Sequence, residues 1–271
     1  MKQHFNVVFC VLTYKNHTDL IDFIESAKAA CDFKYKIVVV NSFFDESTEN
    51  NIRSVAEPNG CDFFSVPNKG YGTGNNRGID FIRENYDFDY LIVSNPDIVI
   101  KDFDLKVLGA VKNEFFLAGP KIVCRKGKNQ NPAIVKNCEL ATSLICKGFE
   151  KNNKLVIYSG YALNKFVKFF SFYYLKKTPK MFQAHGSFVI FPKTTLEKLY
   201  PVYDENIFMF SEETDLAYRL KELKIKSYYL PRISVYHKED GSIKLSNINV
   251  YETVKRSRIY VRDKWRKIKK G

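Results

Sequence analysis

The sequence predicts an α/β fold: a Rossmann-like, doubly wound mixed sheet, mostly parallel, with a basic helix at its C-terminal end. Three observations predict it. Short apolar runs alternate with helical patterns through the first hundred residues in the order β-α-β-α-β-α-β. Several of these runs end in a polar loop, the arrangement that places ligands at the carboxyl ends of parallel strands. The 271 residues, 45% hydrophobic and 27% charged, suffice for one compact domain with a substantial core.

The elements follow in order. Residues 7–12 form a continuous apolar run, a strand buried on both faces, that ends at Thr13-Tyr14-Lys15-Asn16. Thr18 or Asp19 is placed to cap a helix whose apolar face carries Leu20, Phe23, Ile24 and Ala27. Residues 37–40 read as the second strand and 63–66 as the third, after a turn at Pro58-Asn59-Gly60. A helix is expected from about Asn75 through Ile79 and Ile82, and a fourth strand at 90–93 ends in Ser94-Asn95-Pro96-Asp97. Residues 121–180 are less regular. The aromatic stretch 166–175 reads either as a buried helix or strand, or as an exposed loop that meets lipid or acceptor. Regular structure returns with a strand at 188–191, a helix at 216–223 and a strand at 227–230. No internal repeat or low-complexity linker is present. One domain over residues 1–242 and a C-terminal appendage over 243–271 are expected.

Composition narrows the function classes. The formal net charge of +13 points to anionic partners, but nine Lys or Arg against the single acid Asp263 lie between Lys255 and Lys270. No nucleic-acid-recognition module accompanies that charge, so no nucleic-acid partner is expected. Six scattered cysteines include no C-x-x-C pair, and the four histidines are too few and distant to complete a zinc site, which suits reduced thiols in the cytoplasm. No apolar segment reaches the roughly 18 residues a spanning helix requires, and no cleavage signal follows the N-terminus. The 23 Phe and 17 Tyr suit ring-shaped or lipid-linked ligands, or else reflect coding bias.

Four loops carry the chemistry. Asn68-Lys69-Gly70-Tyr71-Gly72-Thr73-Gly74-Asn75-Asn76-Arg77-Gly78 places four glycines in nine positions at a strand-to-helix junction, where backbone amides can approach a ligand. It follows the third strand rather than the first and lacks Gly-Lys-Ser/Thr, so neither a dinucleotide fingerprint nor a P-loop fits. Asn95-Pro96-Asp97 sets a carboxylate at a strand end, suited to a hard divalent cation, and is also a common turn. Glu212, Glu213 and Asp215 precede an apolar helix, either as helix-terminal charges and caps or as a general base beside aromatic residues. His237 follows the last strand as a metal or diphosphate ligand, or as a solvated loop histidine.

Taken in order, these segments resemble family 2 glycosyltransferases. The donor half would be residues 1–115, with Val38-Val39-Val40-Asn41-Ser42 and the loops above. The acceptor half would be residues 116–242, with Gly186-Ser187-Phe188, Tyr203-Asp204-Glu205-Asn206-Ile207-Phe208, Glu212-Glu213-Thr214-Asp215-Leu216 and His237. The resemblance covers about residues 5 to 242 and is nearest the rhamnosyltransferase-like and galactofuranosyltransferase-like branch. It implies a GT-A fold and an inverting single displacement, in which a nucleotide-diphosphate sugar donates to a lipid-linked or oligosaccharide acceptor of a cell-surface polysaccharide. It further implies donor contacts from Thr13, Tyr14, Asn41, Asn68, Gly70, Gly74, Asn75, Asn95 and Asp97. Asp97 and His237 would hold Mn2+ or Mg2+, and Glu213 would be the base, with Glu212 and Asp215 as alternatives. Two departures stand out: Asn41-Ser42 replaces the family's usual Asp-Asn or Asn-Asn, and Glu212-Glu213 replaces Glu-Asp. A nucleotidyltransferase-like enzyme and a catalytically silent sugar-nucleotide-binding protein are the competing readings.

In the tail, Val250, Val254, Ser257, Val261, Trp265 and Ile268 recur at helical spacing among Lys255, Arg256, Arg258, Arg262, Arg266 and Lys269. This basic amphipathic helix either meets an anionic membrane surface, at the inner face of the cell membrane, or packs on the domain with its basic face solvated.

Overall fold

The computed structural model describes residues 2–175, 180–239 and 248–269; the side chains of 172–175 lie outside that description. The first half is built as the periodicity predicts. Strand β1 (Gln3–Thr13) leads to α1 (Thr18–Ala30), β2 (Tyr35–Phe43) and α2 (Glu46–Ala56), and a short 3-10 turn (Glu57–Asn59) then enters β3 (Asp62–Pro67), α3 (Tyr71–Asn85) and β4 (Tyr86–Ser94). β1 pairs in parallel with β2 and β4, and β2 with β3. Alternation along β1 explains its unbroken apolar run. Val7, Phe9 and Val11 enter one core with Leu20, Phe23 and Ile24 of α1, whereas Val8 and Cys10 enter a second with Ile79 and Ile82 of α3.

Two helix starts differ from expectation. At α1 the capping oxygen belongs to Asn16, whose Oδ1 accepts from the Asp19 amide at 3.2 Å. Asp19 itself is drawn inward to Lys238 Nζ at 2.7 Å, which removes it from a capping role. Helix α3 begins at Tyr71 rather than near Asn75, so most of the glycine-rich segment is helix. Its glycines are there for packing: a Cβ on Gly74 would meet Leu12, and one on Gly78 would meet Cys10 and Val40. Gly70, at φ 106°, is the hinge into the helix, and a side chain there would strike the Phe208 backbone.

The second half is mixed. It comprises β5 (Ile98–Phe103), α4 (Lys106–Gly109), β6 (Phe116–Cys124), α5 (Glu139–Glu150), α6 (Lys154–Leu175), β7 (Lys180–Met181) and β8 (Phe188–Pro192). These are followed by α7 (Lys193–Leu199), α8 (Glu212–Glu222), β9 (Lys226–His237) and α9 (Val250–Ile268). One sheet runs β3-β2-β1-β4-β8-β6-β9-β5, with β7 on β9. β8 is antiparallel to β4 and to β6, while β6 and β9 are parallel. The stretch 166–175 is the end of α6, a helix rather than a loop, and Phe166, Phe169 and Phe170 are exposed on it. No helix among the described residues is long and apolar enough to cross a membrane.

α9 is docked on the domain. Val261 and Trp265 are buried with Ile207 and Tyr218, and the Trp265 ring stacks on Tyr218 at 5.3 Å between centroids. Lys264 Nζ reaches Asp204 and Asp215, each at 2.7 Å, and Arg262 reaches Glu150 at 2.5 Å. Part of the basic face therefore neutralises acids of the domain. Residues 243–247, the first part of the expected appendage, and Asp240-Gly241-Ser242 lie outside the described residues.

Candidate active site

A cavity of about 510 Å³ opens at the carboxyl ends of β1 and β4. β1 delivers Thr13 and Tyr14 to it; β4 delivers Asn95, Pro96 and Asp97. The Thr13 hydroxyl donates to the Val40 carbonyl at 3.2 Å, tying the rim of β1 to β2. The Asn95 amide donates to the Ser187 carbonyl at 2.9 Å, and the Lys238 amide to the Asp97 carbonyl at 3.0 Å. Asp97 is thus fixed from both sides in a turn continuous with β5.

Asp97 is 2% exposed, and its Oδ1 is buried without a hydrogen-bond partner. Its Oδ2 lies 3.3 Å from His237 Nε2. A chain of hydrogen bonds assigns the tautomer of that histidine. Glu239 can only accept, so Gln130 turns its amide nitrogen to Glu239 at 2.9 Å and its Oε1 to His237 Nδ1 at 2.7 Å. Nδ1 therefore carries the proton, and in the neutral ring the Nε2 lone pair faces a carboxylate oxygen. Two acceptors face each other beside the orphaned second oxygen of the carboxylate, an arrangement that a cation would satisfy. The donor set, one carboxylate and one imidazole, suits Mn2+ or Mg2+ completed by phosphate and water oxygens.

His185 lies beside this pair, its ring centroid 5.6 Å from that of His237. Burial, and secondarily the His237 ring, push its pKa down to about 4, so it is neutral near pH 7. The Ser187 amide donates to its Nδ1 at 3.3 Å, leaving Nε2 to carry the proton.

Glu212 and Glu213 line the same cavity from the first turn of α8. The backbone entering that turn is strained: Phe210 and Ser211 stand at φ 68° and 74°, the left-handed region that non-glycine residues rarely adopt. Burial raises the pKa of both carboxyls, and for Glu212 the neighbouring Glu213 adds to the rise. The nearby Gly186 backbone amide partly offsets this. A proton-accepting group with a raised pKa in a cavity is a candidate general base.

The structure brings together Thr13, Tyr14, Asn68, Gly70, Asn95, Asp97, Glu212, Glu213 and His237 around one cavity. Four expected site residues are elsewhere. Asn41 is 1% exposed and donates to the Ser65 hydroxyl at 3.0 Å; its neighbour Ser42 lines the cavity instead, because successive strand residues face opposite ways. Gly74 and Asn75 are inside α3, with Asn75 Nδ2 donating to the Tyr71 carbonyl. Asp215 accepts from Lys264 and from Trp265 Nε1, at 2.7 and 2.8 Å, and anchors α9. Ser42, Tyr71, Gln130, His185 and Glu239 line the cavity without having been singled out from sequence. A sequence signal existed for Tyr71, inside the glycine-rich motif, and for Ser42, beside Asn41 at the end of the second strand; Gln130 and Glu239 join His237 through contacts more than 100 residues apart.

The fold is the GT-A fold, and the similarity to named glycosyltransferases makes the chain a glycosyltransferase. Within that class the chain is similar to the rhamnosyltransferase-like branch: it is 24% identical over 241 residues to the rhamnosyltransferase WbbL of Escherichia coli, covering 85% of this chain and 83% of that protein. It is 23% identical over 224 residues to the low-salt glycan biosynthesis hexosyltransferase Agl10 of Haloferax volcanii, covering 79% of this chain and 61% of that protein. Among solved structures, GalNAc-T7 with UDP, GalNAc and Mn2+ superimposes with a TM-score of 0.59 at 12% identity, over 88% of this chain and 44% of the larger one. The chain thus spans less than two thirds of the latter two proteins. No family model matches the chain.

Proposed function

We propose that this chain is an inverting, divalent-cation-dependent glycosyltransferase that moves a hexose, rhamnose or a relative of it, from a nucleoside-diphosphate donor to a hydroxyl of a surface-polysaccharide precursor. One observation carries the reading: the facing acceptors of Asp97 and His237 and the raised-pKa carboxyl of Glu213 line a single cavity. Thr13, Tyr14, Asn68 and Gly70 are placed to border the nucleotide and its diphosphate. Asp97 and His237 would hold Mn2+ or Mg2+, and the bound cation would neutralise charge developing on the leaving diphosphate. Glu213 takes the proton of the acceptor hydroxyl, whose oxygen forms the new bond to the anomeric carbon as the bond to the diphosphate oxygen breaks. Gly186 and the strained turn at Phe210-Ser211 hold Glu213 for that transfer. Asp215 is not part of this chemistry.

The named relatives, a rhamnosyltransferase and a glycan-biosynthesis hexosyltransferase, support the donor class and the glycan acceptor. The solved relative with UDP and Mn2+ supports the cation. A cytoplasmic location, peripheral on the inner face of the membrane, fits such an acceptor. Thermal-shift measurements against nucleotide sugars with and without Mn2+ test the reading. Stabilisation by a nucleotide sugar that depends on Mn2+ is expected, and none from any donor sinks it.

A further inference from the structure

Helices α6, α8 and α9 and the segment 133–137 enclose a second cleft of about 360 Å³. Lys136, Lys165, Lys168, Arg258 and Arg262 line it, and no Asp or Glu is among its described lining residues. Lys136, Lys165 and Arg258 converge there with no carboxylate of the lining between them, an excess of positive charge that an anion would relieve. Arg262 sharpens the point. It is 8% exposed, its Nε and Nη2 are taken by Asp263 and Glu150, and its Nη1 is buried without a partner. An unmet guanidinium donor on a residue that lines a cationic cleft favours an anion there.

This cleft shares its walls with the active-site cavity. Along the strained turn, Met209, Phe210, Glu212 and Glu213 line the active site, while Ser211 between them and Thr214 after them line the cleft. Along the facing segment, His185, Gly186 and Ser187 line the first, Phe182 and Gln183 the second. Gln183 Oε1 accepts from the Thr214 hydroxyl at 3.1 Å, closing the partition. A ligand seated in the cleft therefore lies directly behind the proposed base.

α6 borders the cleft with Tyr161, Asn164, Lys165 and Lys168. Its adjacent side carries Leu155, Tyr158, Phe166, Phe169 and Phe170, exposed by 81%, 65%, 61%, 75% and 54%. At 3.6 residues per turn these form one stripe, about 22 Å long and roughly a third of a turn around the helix from the cleft-facing residues. Another side of α6 is packed on α5. Gly160 lies so close to α5 that a Cβ would stand 2.6 Å from Ile145. An anion site beside an apolar track on one helix matches an amphiphile with a phosphate head.

We propose that the cleft binds the phosphate or diphosphate head of a lipid-linked acceptor, and that the acceptor's hydrocarbon chain lies along the α6 stripe. The proposal rests on the glycosyltransferase reading for the word acceptor, whereas the binding site stands on its own residues. It gives the exposed aromatic stretch an occupant and assigns lipid contact to α6 rather than to the docked α9.

Calorimetric titration of the full chain in EDTA tests it, with farnesyl diphosphate, inorganic pyrophosphate and farnesol as probes. Omitting divalent metal suppresses diphosphate binding at Asp97 and His237. Farnesyl diphosphate should bind at least about tenfold more tightly than pyrophosphate. Lys165→Gln, at an exposed position, should weaken both by about tenfold, the loss of one charge-assisted hydrogen bond. Phe169→Ser with Phe170→Ser should weaken farnesyl diphosphate alone. Farnesyl diphosphate binding that ignores Lys165→Gln overturns the site. Equal binding of both diphosphates, unaffected by the Phe changes, overturns the lipid and leaves an inorganic-anion site. Nucleotide-sugar binding with Mn2+, measured separately, keeps the two readings apart. If it is present while the cleft is silent, only this inference falls; if it is absent while the cleft binds, only the enzyme reading falls.

Discussion

A Cβ placed on Gly186 would stand 2.5 Å from Oε1 of Glu213, so the carboxylate occupies the volume that any other residue at 186 would need. The backbone amide of the same glycine favours the ionised form of that carboxylate. Gly186→Ala should therefore displace Glu213 while leaving the far side of the cavity intact. Transfer should fall by about 100-fold, the scale of a lost general base, with donor affinity retained in the thermal-shift assay. Unchanged transfer would show that the base is another group.

Glu213→Gln should abolish transfer to a similar degree, whereas Glu212→Gln should retain most of it. Burial raises the pKa of Glu213, and a base works only when deprotonated. The acidic limb of the pH–rate profile should accordingly lie above the ordinary glutamate value of about 4.3. A limb at or below that value contradicts the assignment.

Asp97→Asn replaces the orphaned, cavity-facing carboxylate with a neutral amide. Mn2+-dependent stabilisation by nucleoside diphosphates should be lost, and EDTA should produce the same loss in the unaltered protein. His237→Ala should weaken the metal dependence by about 10- to 100-fold, and Gln130→Ala, which frees the imidazole tautomer, should have a smaller effect in the same direction. Metal-independent donor binding in Asp97→Asn with full transfer would remove the cation from this site.

The docking of α9 should depend on acid. Burial opposes ionisation of Asp204, but hydrogen bonds from Lys264, Asn206 and Tyr260 outweigh it and hold the carboxyl down at about 2, against an ordinary value of 3.8. A depressed carboxyl contributes stability that is complete above its unfolded pKa and is lost as pH falls through its folded one. The contribution should thus fade between pH about 4 and about 2. Trp265 is the single tryptophan and stacks on Tyr218 beside Asp215, so its emission should shift to the red over that window. Asp215→Asn should cost about 3 kcal/mol in denaturant unfolding, the scale for breaking a buried ion pair, without removing the catalytic carboxyls.

Residues 7–12, 37–40 and 90–93 announced buried parallel strands because both faces of each are covered, which forces continuous apolar side chains. The loops after those strands held Thr13, Tyr14 and Asp97, since strand ends in such a sheet converge on one edge. Periodicity could not time the start of α3, because its glycines serve the packing of Leu12, Cys10 and Val40 rather than a loop. Nor could it choose between Asn41 and Ser42, where a single residue of alternation reverses which side chain meets the cavity.

By itself, then, the sequence determined the alternation of strands and helices, the glycosyltransferase resemblance and the carboxylates available for chemistry. Those properties are local, written in the spacing of neighbouring residues. Only the tertiary structure decided that Glu212 and Glu213 face the cavity while Asp215 holds α9, and that Gln130 sets the proton on His237. It alone placed five cations from the segment 133–137, α6 and α9 around one cleft. Each depends on side chains brought together from distant points of the chain, and pairings of that kind leave no period in the sequence from which to read them.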